Sequence, residues 1–301
     1  MERKLELLKK CEICPHKCKI DRTNGKIGIC KSKDTVKIAN FSLHKYEEPC
    51  ISGKTGSGAV FFSNCNLKCV FCQNYEISQL GIGKEFTIDK LAQIFIKLQE
   101  KKANNINLVS PTSYAVQIVE AIKIAKKKGL EIPIIYNSNG YENIETIKLL
   151  NGYIDVYLPD FKYADNKIAK KYSKIDNYFE VVTSAIREMY NQVGGVSLDT
   201  KGMIKKGVIV RHLVLPNYIE NSKNILNWIN ENLPEDIFIS IMAQYFPTYK
   251  AIEEINLCRK INREEYKRIL KYLDKLNIKN GYIQQMGFDE KKYVPDWNFY
   301  L

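Results

Sequence analysis

The sequence predicts an α/β fold, a partial (β/α)6 TIM-like barrel with a small N-terminal Cys-rich metal-binding module. Short apolar runs alternate with longer amphipathic stretches from residue 58 onward. The apolar runs are nearly continuous, which is typical of parallel strands covered on both faces of a sheet. Eight of the nine cysteines lie in the first 72 residues, and that part of the chain lacks long apolar periods. We therefore expect the metal-binding module at 1–52 and the barrel at 53–301.

Six strand–helix units carry the barrel prediction. The predicted strands are 58–63, 106–110, 132–137, 154–160, 207–216 and 237–244. The amphipathic stretches between them include 88–102, 115–128, 220–231 and 263–276. Six units are fewer than a closed (β/α)8 barrel needs, so we expect an open or partial barrel. A last apolar run at 281–284 is a candidate edge strand.

Composition and charge limit the function classes. No stretch approaches the ~18–20 apolar residues of a membrane helix, and the charged start MERKLELLKK lacks the apolar core of a signal peptide. We therefore predict a cytoplasmic protein with no membrane association, in which metal ligation by cysteine is favoured over disulfides. The net charge of +12 suits nucleic acid, an anionic substrate or an acidic protein. Because lysine is spread along the whole chain, nucleic acid is a disfavoured partner.

A cysteine triplet directly follows the first predicted strand. Cys65, Cys69 and Cys72 have the spacing C-x3-C-x2-C, with which a short loop can bring three thiolates around one inorganic centre. Three ligands for a four-iron cluster leave one iron open, as a catalytic metal keeps a free position for its substrate. The alternatives are a zinc knuckle that takes a fourth ligand from elsewhere, and buried thiols without a metal.

The triplet resembles the hallmark of the radical S-adenosylmethionine (SAM) superfamily, C-x3-C-x-aromatic-C after the first barrel strand, with Phe71 as the aromatic residue. More closely, the chain resembles uncharacterised homologues of the pyruvate formate-lyase-activating enzyme from about Cys11 to Gln284. The segments that carry this likeness are 47–53, 56–58, 69–75, 107–112, 157–163, 210–216 and 242–245.

The resemblance implies a radical SAM enzyme. A [4Fe–4S] cluster on Cys65, Cys69 and Cys72 would bind the amino and carboxylate groups of SAM and cleave it reductively to a 5′-deoxyadenosyl radical. The radical would abstract hydrogen from a substrate that the sequence does not identify. The implied partners are a reductant such as flavodoxin or ferredoxin, and a protein substrate such as a glycyl-radical enzyme. Oxidation or rearrangement of a small molecule or peptide is equally open.

Polar residues at predicted strand ends are candidates for binding SAM, because strand ends line the active site in such folds. By resemblance, Asp160 and Lys162 match an Asp-x-Lys element that lies against SAM, and Arg211 matches an arginine of the fifth strand. Asn137 and Asn139 are candidate contacts for the ribose or the amino acid. A local salt bridge or a turn cap is the alternative for each of these residues.

The chain departs from the superfamily after the second predicted strand. Many members carry a Gly-Gly-Glu-like element there for the methionine ammonium, whereas this chain has Ser110-Pro-Thr112. Thr112 is a candidate contact for SAM there, since it offers a hydroxyl and nearby carbonyls but no carboxylate. His212, next to Arg211 on an apolar strand, is interpreted as a hydrogen-bonded core histidine.

The N-terminal cysteines form a second motif. Cys11, Cys14, Cys18 and Cys30 have the spacing of a four-thiolate site, and a second iron–sulfur cluster and a structural zinc both fit it. Cys50 stands apart; a ligand, a hydrogen donor and simple packing are its alternatives, and packing is the commonest role of a lone cysteine.

Two other functions are alternatives to a radical enzyme. A zinc-binding, non-enzymatic module that contacts nucleic acid would need basic and aromatic residues interleaved on one face, which the sequence does not show. Thiol redox catalysis by Cys11 and Cys14 would need a βαβ context around that pair, and none is predicted there.

Overall fold

The computed structural model describes residues 6–287 and Trp297. The outer ends of the two predicted segments, residues 1–5, 288–296 and 298–301, lie outside the described residues. The strands are β1 (Val36–His44), β2 (Ser57–Phe62), β3 (Lys84–Phe86), β4 (Ile106–Val109), β5 (Ile134–Ser138), β6 (Val156–Pro159), β7 (Ser197–Leu198), β8 (Ile204–Leu213), β9 (Phe238–Met242) and β10 (Asn280–Ile283).

Helices follow most of the parallel strands. The α-helices are Pro49–Ser52, Tyr75–Ser78, Ile88–Glu100, Ala115–Lys127, Ile144–Leu150, Asn166–Ser173, Tyr178–Val193, Ile219–Asn232 and Arg263–Leu273. Short 3-10 helices span Glu6–Leu8, Arg22–Asn24, Thr112–Tyr114 and Tyr249–Glu253. In the part of the chain that the structure describes, no helix has both the length and the apolar character needed to span a bilayer.

The strands form one sheet in the order β10-β9-β8-β6-β5-β4-β2-β1-β3, with β7 attached to β8. In this spatial order every neighbouring pair between β10 and β2 is parallel. The short strand β7 pairs antiparallel with β8. Among the described residues β10 and β3 stand at the two ends of the sheet, so the barrel is not closed. The predicted partial α/β barrel is confirmed, and the candidate edge strand at 281–284 is β10.

The strand β1 was not predicted from the sequence. It pairs antiparallel with β2, with Leu43 opposite Gly58 and Phe41 opposite Val60. Most of its residues are only half-buried, so it lacks the continuous apolar run by which the parallel strands were recognised. Because β1 lies within 1–52, the sheet continues across the predicted boundary at residue 52. The division into a separate module and a barrel stays a prediction.

The interior of the sheet explains the apolar runs. All residues of β2, β4, β5 and β6 are buried, as expected for parallel strands covered on both faces.

His212 on β8 is also buried, with Nδ1 2.8 Å from the Phe161 carbonyl oxygen and Nε2 2.8 Å from Ser222 Oγ. Burial lowers the pKa of His212 to about 4, so the ring is neutral near pH 7. The predicted core histidine is confirmed.

Gly140 allows the turn after β5 to pass close to the end of β6. Its φ is +76°, a region that favours glycine. A Cβ atom added there would lie 2.4 Å from the carbonyl oxygen of Asp160 and 2.6 Å from Val182 Cγ2. The close approach between this turn and the end of β6 therefore requires that residue 140 has no side chain.

We predict that Gly140→Ala lowers the free energy of unfolding by about 2–4 kcal/mol, since it combines backbone strain with a steric clash. Gly129→Ala is the matched control, because Gly129 also has positive φ (+90°) but no atom within 4 Å of the added Cβ. We expect the control to lose only about 1 kcal/mol. Thermal unfolding of both variants checks this, and equal losses would show that the close approach at Gly140 does not matter.

Candidate active site

A cavity of about 580 Å³ lies at the carboxyl ends of the parallel strands. This volume is within the range of small-molecule and cofactor sites. Eight of the residues predicted for the cluster or for SAM are on its wall: Cys65, Cys69, Cys72, Asn137, Asn139, Asp160, Lys162 and Arg211. The carboxyl ends of parallel strands meet at one edge of a sheet, and this brings the predicted residues together from four different parts of the chain.

The loop that carries the cysteine triplet is fixed by main-chain hydrogen bonds. Val70 N donates to the Tyr172 carbonyl at 2.9 Å, and the Val70 carbonyl accepts from Ala251 N at 3.0 Å. Lys68 N also donates to the Ser173 carbonyl at 3.3 Å. The loop is therefore held by the helix Asn166–Ser173 on one side and by the segment after β9 on the other.

Each thiol of the triplet has a polar neighbour. Asn139 Nδ2 donates to Cys65 Sγ at 3.3 Å. The Ser173 hydroxyl is 3.0 Å from Cys69 Sγ, and the Ser78 hydroxyl is 3.1 Å from Cys72 Sγ. These groups can donate to thiolate sulfur, which is the form that binds iron.

The thiols of the triplet are close enough to influence one another. Burial raises the pKa of both Cys65 and Cys69 to about 11. A second thiol adds to the effect of burial in each case: Cys69 acts on Cys65, and Cys72 acts on Cys69. A buried set of three mutually repelling thiolates is stabilised by a positive centre between them. The donor set therefore fits an iron–sulfur cluster held at three corners.

Asp160 and Lys162 form an ion pair beside the triplet. Lys162 Nζ is 2.5 Å from Asp160 Oδ2, and both side chains are largely buried. Burial alone would lower the pKa of Lys162, but Asp160 and the Cys69 thiol raise it, so the ammonium stays protonated. The pair is thus a local salt bridge, which is the alternative to SAM binding given above for these residues, and it also borders the cavity.

Arg211 is engaged by two carboxylates that the sequence analysis did not single out. Its Nε donates to Glu48 Oε1 at 2.9 Å, and its Nη2 donates to Glu48 Oε2 at 2.5 Å and to Glu47 Oε2. Arg211 counteracts the effect of burial and lowers the pKa of Glu48, so this glutamate is ionised. The two glutamates follow β1, and their pairing with a strand-end arginine is visible only in three dimensions.

Thr112 does not line the cavity, unlike the other residues predicted to contact SAM. Its hydroxyl donates to Glu142 Oε1 at 2.6 Å, and Tyr136 OH donates to Glu142 Oε2 at 3.3 Å. Thr112 thus contacts a buried glutamate, and its contact with SAM stays a prediction. Burial raises the pKa of Glu142 to about 7. No sequence pattern marked Glu142, because it follows β5 within a turn and belongs to no motif.

The N-terminal cysteines lie close to one another and beside the triplet loop. Burial, together with Cys30, Cys11 and Cys18, raises the pKa of Cys14, so the four thiols are electrostatic neighbours. His16 Nε2 is 2.7 Å from the Asn66 carbonyl oxygen, which connects this segment to the triplet loop.

The structure also tests the metal geometry and the two remaining cysteines. Within residues 6–287 and Trp297, no three Cys, His, Asp or Glu side chains converge in the way that one bound metal ion requires. Cys50 is buried in a small apolar cluster with Ile51 and Ile135, as the packing interpretation predicts. Cys258 is exposed.

The sequence profile of the Radical SAM superfamily matches residues 59–229, more than half of the chain. The chain belongs to the radical SAM superfamily. It is therefore an enzyme of the class that uses a [4Fe–4S] cluster and SAM and begins its reaction by radical cleavage of SAM. The matched residues contain the triplet, the Asp160–Lys162 pair and Arg211.

Two relatives are similar to this chain over most of its length. Uncharacterized protein MJ0674 of Methanocaldococcus jannaschii is 33% identical over 283 residues, which cover 90% of this chain and 76% of that protein. The pyruvate formate-lyase-activating enzyme of Clostridium pasteurianum is 22% identical over 231 residues, which cover 72% of this chain and 90% of the enzyme.

Solved structures share the fold. SuiB of Streptococcus suis bound to S-adenosylmethionine has a TM-score of 0.51 at 14% identity, covering 77% of this chain and 50% of SuiB. Native anSMEcpe with bound AdoMet has a TM-score of 0.51 at 16% identity, covering 78% of this chain and 62% of anSMEcpe. This radical SAM protein spans about half the length of SuiB, so the likeness describes the barrel and not a substrate.

We predict that the pKa of Glu142 makes stability fall as pH rises. Between its usual pKa of 4.5 and its folded pKa of about 7, the folded chain holds a proton that the unfolded chain has lost. The free energy of unfolding therefore decreases across this window, by roughly 3 kcal/mol from this residue. Glu142→Gln should gain stability relative to the wild type between pH 5 and pH 8, as measured by denaturant unfolding.

The exposed Glu145→Gln is the matched control for this pH effect. Glu145 is 76% exposed and lies three residues further along the chain. We expect its stability to follow that of the wild type at every pH. A constant difference between Glu142→Gln and the wild type across the window would contradict a raised pKa at Glu142.

Proposed function

We propose that the chain binds its [4Fe–4S] cluster through Cys65, Cys69 and Cys72 and abstracts hydrogen from a substrate held in the same cavity. The observation that carries this proposal is the meeting of three hydrogen-bonded thiols with the Asp160–Lys162 pair on one cavity wall. When bound, the cluster and SAM supply the electron and the carbon-centred radical with which the reaction begins.

The residues of the chain orient the cofactors and hold charge. The Asp160 carboxylate and the amide of Asn137 offer acceptors and donors to the hydroxyl and ammonium groups of SAM. The Lys162 ammonium, which remains protonated, offsets negative charge at the Cys69 thiolate. Asn139, a candidate contact for the ribose or the amino acid of SAM, donates through Nδ2 to Cys65 Sγ and to Asn66 Oδ1. We propose that Asn139 is a positioning residue for Cys65.

Aromatic packing behind the triplet keeps water from the reacting groups. The ring centroid of Phe71 is 6.4 Å from that of Tyr163 and 6.0 Å from that of Tyr245, both in edge-to-face contact. All three side chains are buried. A dry wall protects a reactive carbon radical from stray donors and strengthens electrostatic interactions in the site.

For the substrate we propose an activase-like role, in which the radical acts on a protein partner such as a glycyl-radical enzyme. The likeness to the pyruvate formate-lyase-activating enzyme of Clostridium pasteurianum supports this choice. The electron would come from a reductant such as flavodoxin or ferredoxin. Reaction on a small molecule or a free peptide is the alternative.

We predict that the anaerobically reconstituted wild type forms 5′-deoxyadenosine from SAM in the presence of dithionite. Cys69→Ala should reduce the product to the level of a protein-free control, because the cluster loses a ligand. The exposed Cys258→Ala is the matched control and should retain wild-type activity. Product quantified by chromatography checks this; equal product from Cys69→Ala and Cys258→Ala would refute the assigned ligands.

For Cys11, Cys14, Cys18 and Cys30 we propose a second metal site, as either an iron–sulfur cluster or a zinc ion; a zinc ion would require these thiols to move closer together than they are among the described residues. Metal analysis of a variant with alanine at 65, 69 and 72 isolates this site. About four iron atoms per chain would identify a cluster, and about one zinc atom would identify a structural zinc. Adding Cys14→Ala should remove either metal. A triple variant that contains neither metal would contradict the proposal.

A further inference from the structure

Among the described residues that line the cavity, the charged side chains carry an excess of negative charge, although the chain as a whole has a net charge of +12. Apart from the cysteines, the wall contains the carboxylates of Glu47, Glu48 and Asp160 and the cations of Lys162 and Arg211. Asp160 and Lys162 neutralise each other beside the triplet. The excess therefore lies in the remaining group, Glu47, Glu48 and Arg211, which we name the carboxylate site.

The geometry of the carboxylate site sets one cation against two anions. Arg211 makes a two-pronged contact with Glu48 and also donates to Glu47 through Nη2. Glu47 accepts a further hydrogen bond from Asn107 Nδ2 at 2.8 Å. The side chains of Glu47, Glu48 and Arg211 are 10%, 6% and 11% exposed. A buried charge without a counter-ion is strongly unfavourable, so this site favours an additional cation.

The neighbours of the carboxylate site also suit a cation. His44, Tyr46 and Phe61 line the same cavity. Burial lowers the pKa of His44, so its ring is neutral near pH 7 and does not cancel the excess charge. Aromatic faces attract ammonium and guanidinium groups through their quadrupoles. Carboxylates and aromatic rings thus occur together at this part of the wall.

We infer that the carboxylate site binds an ammonium or guanidinium group of the substrate. The inference rests on the proposed function and adds the chemical class of the substrate. The cation belongs either to a free amine or guanidine, or to a lysine or arginine side chain of a peptide. SAM is itself positively charged, so the test must separate the binding of SAM from the binding of the substrate.

Calorimetric titration of the reconstituted, SAM-saturated holoprotein without reductant tests this inference. The free probes are cadaverine, agmatine and the neutral 1,5-pentanediol. The peptide probes are one acetylated pentapeptide with lysine, glutamine or glutamate at its centre. We expect a cationic probe of one kind to bind at least about tenfold more tightly than its neutral counterpart, which is roughly 1.4 kcal/mol. The arm in which this preference occurs identifies the source of the cation.

The substitution Glu47→Gln removes the excess charge and keeps a side chain of the same shape. It leaves Arg211 paired with Glu48, so we expect a folded protein with wild-type iron content and a thermal stability at least equal to that of the wild type. The preference for the cationic probe should disappear in Glu47→Gln. It should persist in Glu145→Gln, which changes the net charge equally at an exposed position.

Three outcomes would overturn the inference. The first is that cationic probes bind no better than neutral ones. The second is that Glu47→Gln keeps the preference for the cationic probe. The third is that Glu47→Gln weakens the affinity for SAM, which would show that the excess charge faces the cofactor. Formation of 5′-deoxyadenosine without any probe is measured on the same preparation. If no 5′-deoxyadenosine forms, the proposed function is wrong. If it forms but the protein shows no preference for cationic probes, only this inference is wrong.

Discussion

The cysteine loop depends on hydrogen bonds from segments that are far away in the sequence. It follows β2 directly, and its central residue Val70 bonds through both its N–H and its carbonyl to Tyr172 and Ala251. Those two residues lie more than a hundred positions further along the chain and contact the loop through the folded barrel. The three thiols reach one cavity wall because the whole barrel positions this loop. The cofactor site is therefore a property of the complete fold and not of the short motif alone.

The part of the fold that the sequence predicted is the part that obeys simple burial rules. Parallel strands buried on both faces require continuous apolar runs, and each predicted run became a strand. β1 was missed because it is half-buried and contains Lys37, Asn40 and Ser42 among its apolar residues. The strands β3 and β7 have only three and two residues, too few for a periodic pattern.

The same distinction holds for the site. Asp160, Lys162 and Arg211 were predictable because parallel strands end at one edge of the sheet. Glu47 and Glu48 were not, because they follow an antiparallel strand and reach the cavity through pairing with Arg211, which is more than 160 residues away. The contact between Thr112 and Glu142 was not predictable, because nothing in the sequence places these two residues side by side. Strand-end rules locate a site, whereas buried ion pairs between distant segments determine its charge.

Electron paramagnetic resonance of the dithionite-reduced protein, recorded with and without SAM, tests most directly whether three thiolates hold a cluster with one open iron. The account predicts the signal of a reduced four-iron cluster whose g values change when SAM is added, because SAM binds the open iron. A reduced cluster whose spectrum SAM leaves unchanged, or a protein with no such signal, would contradict it.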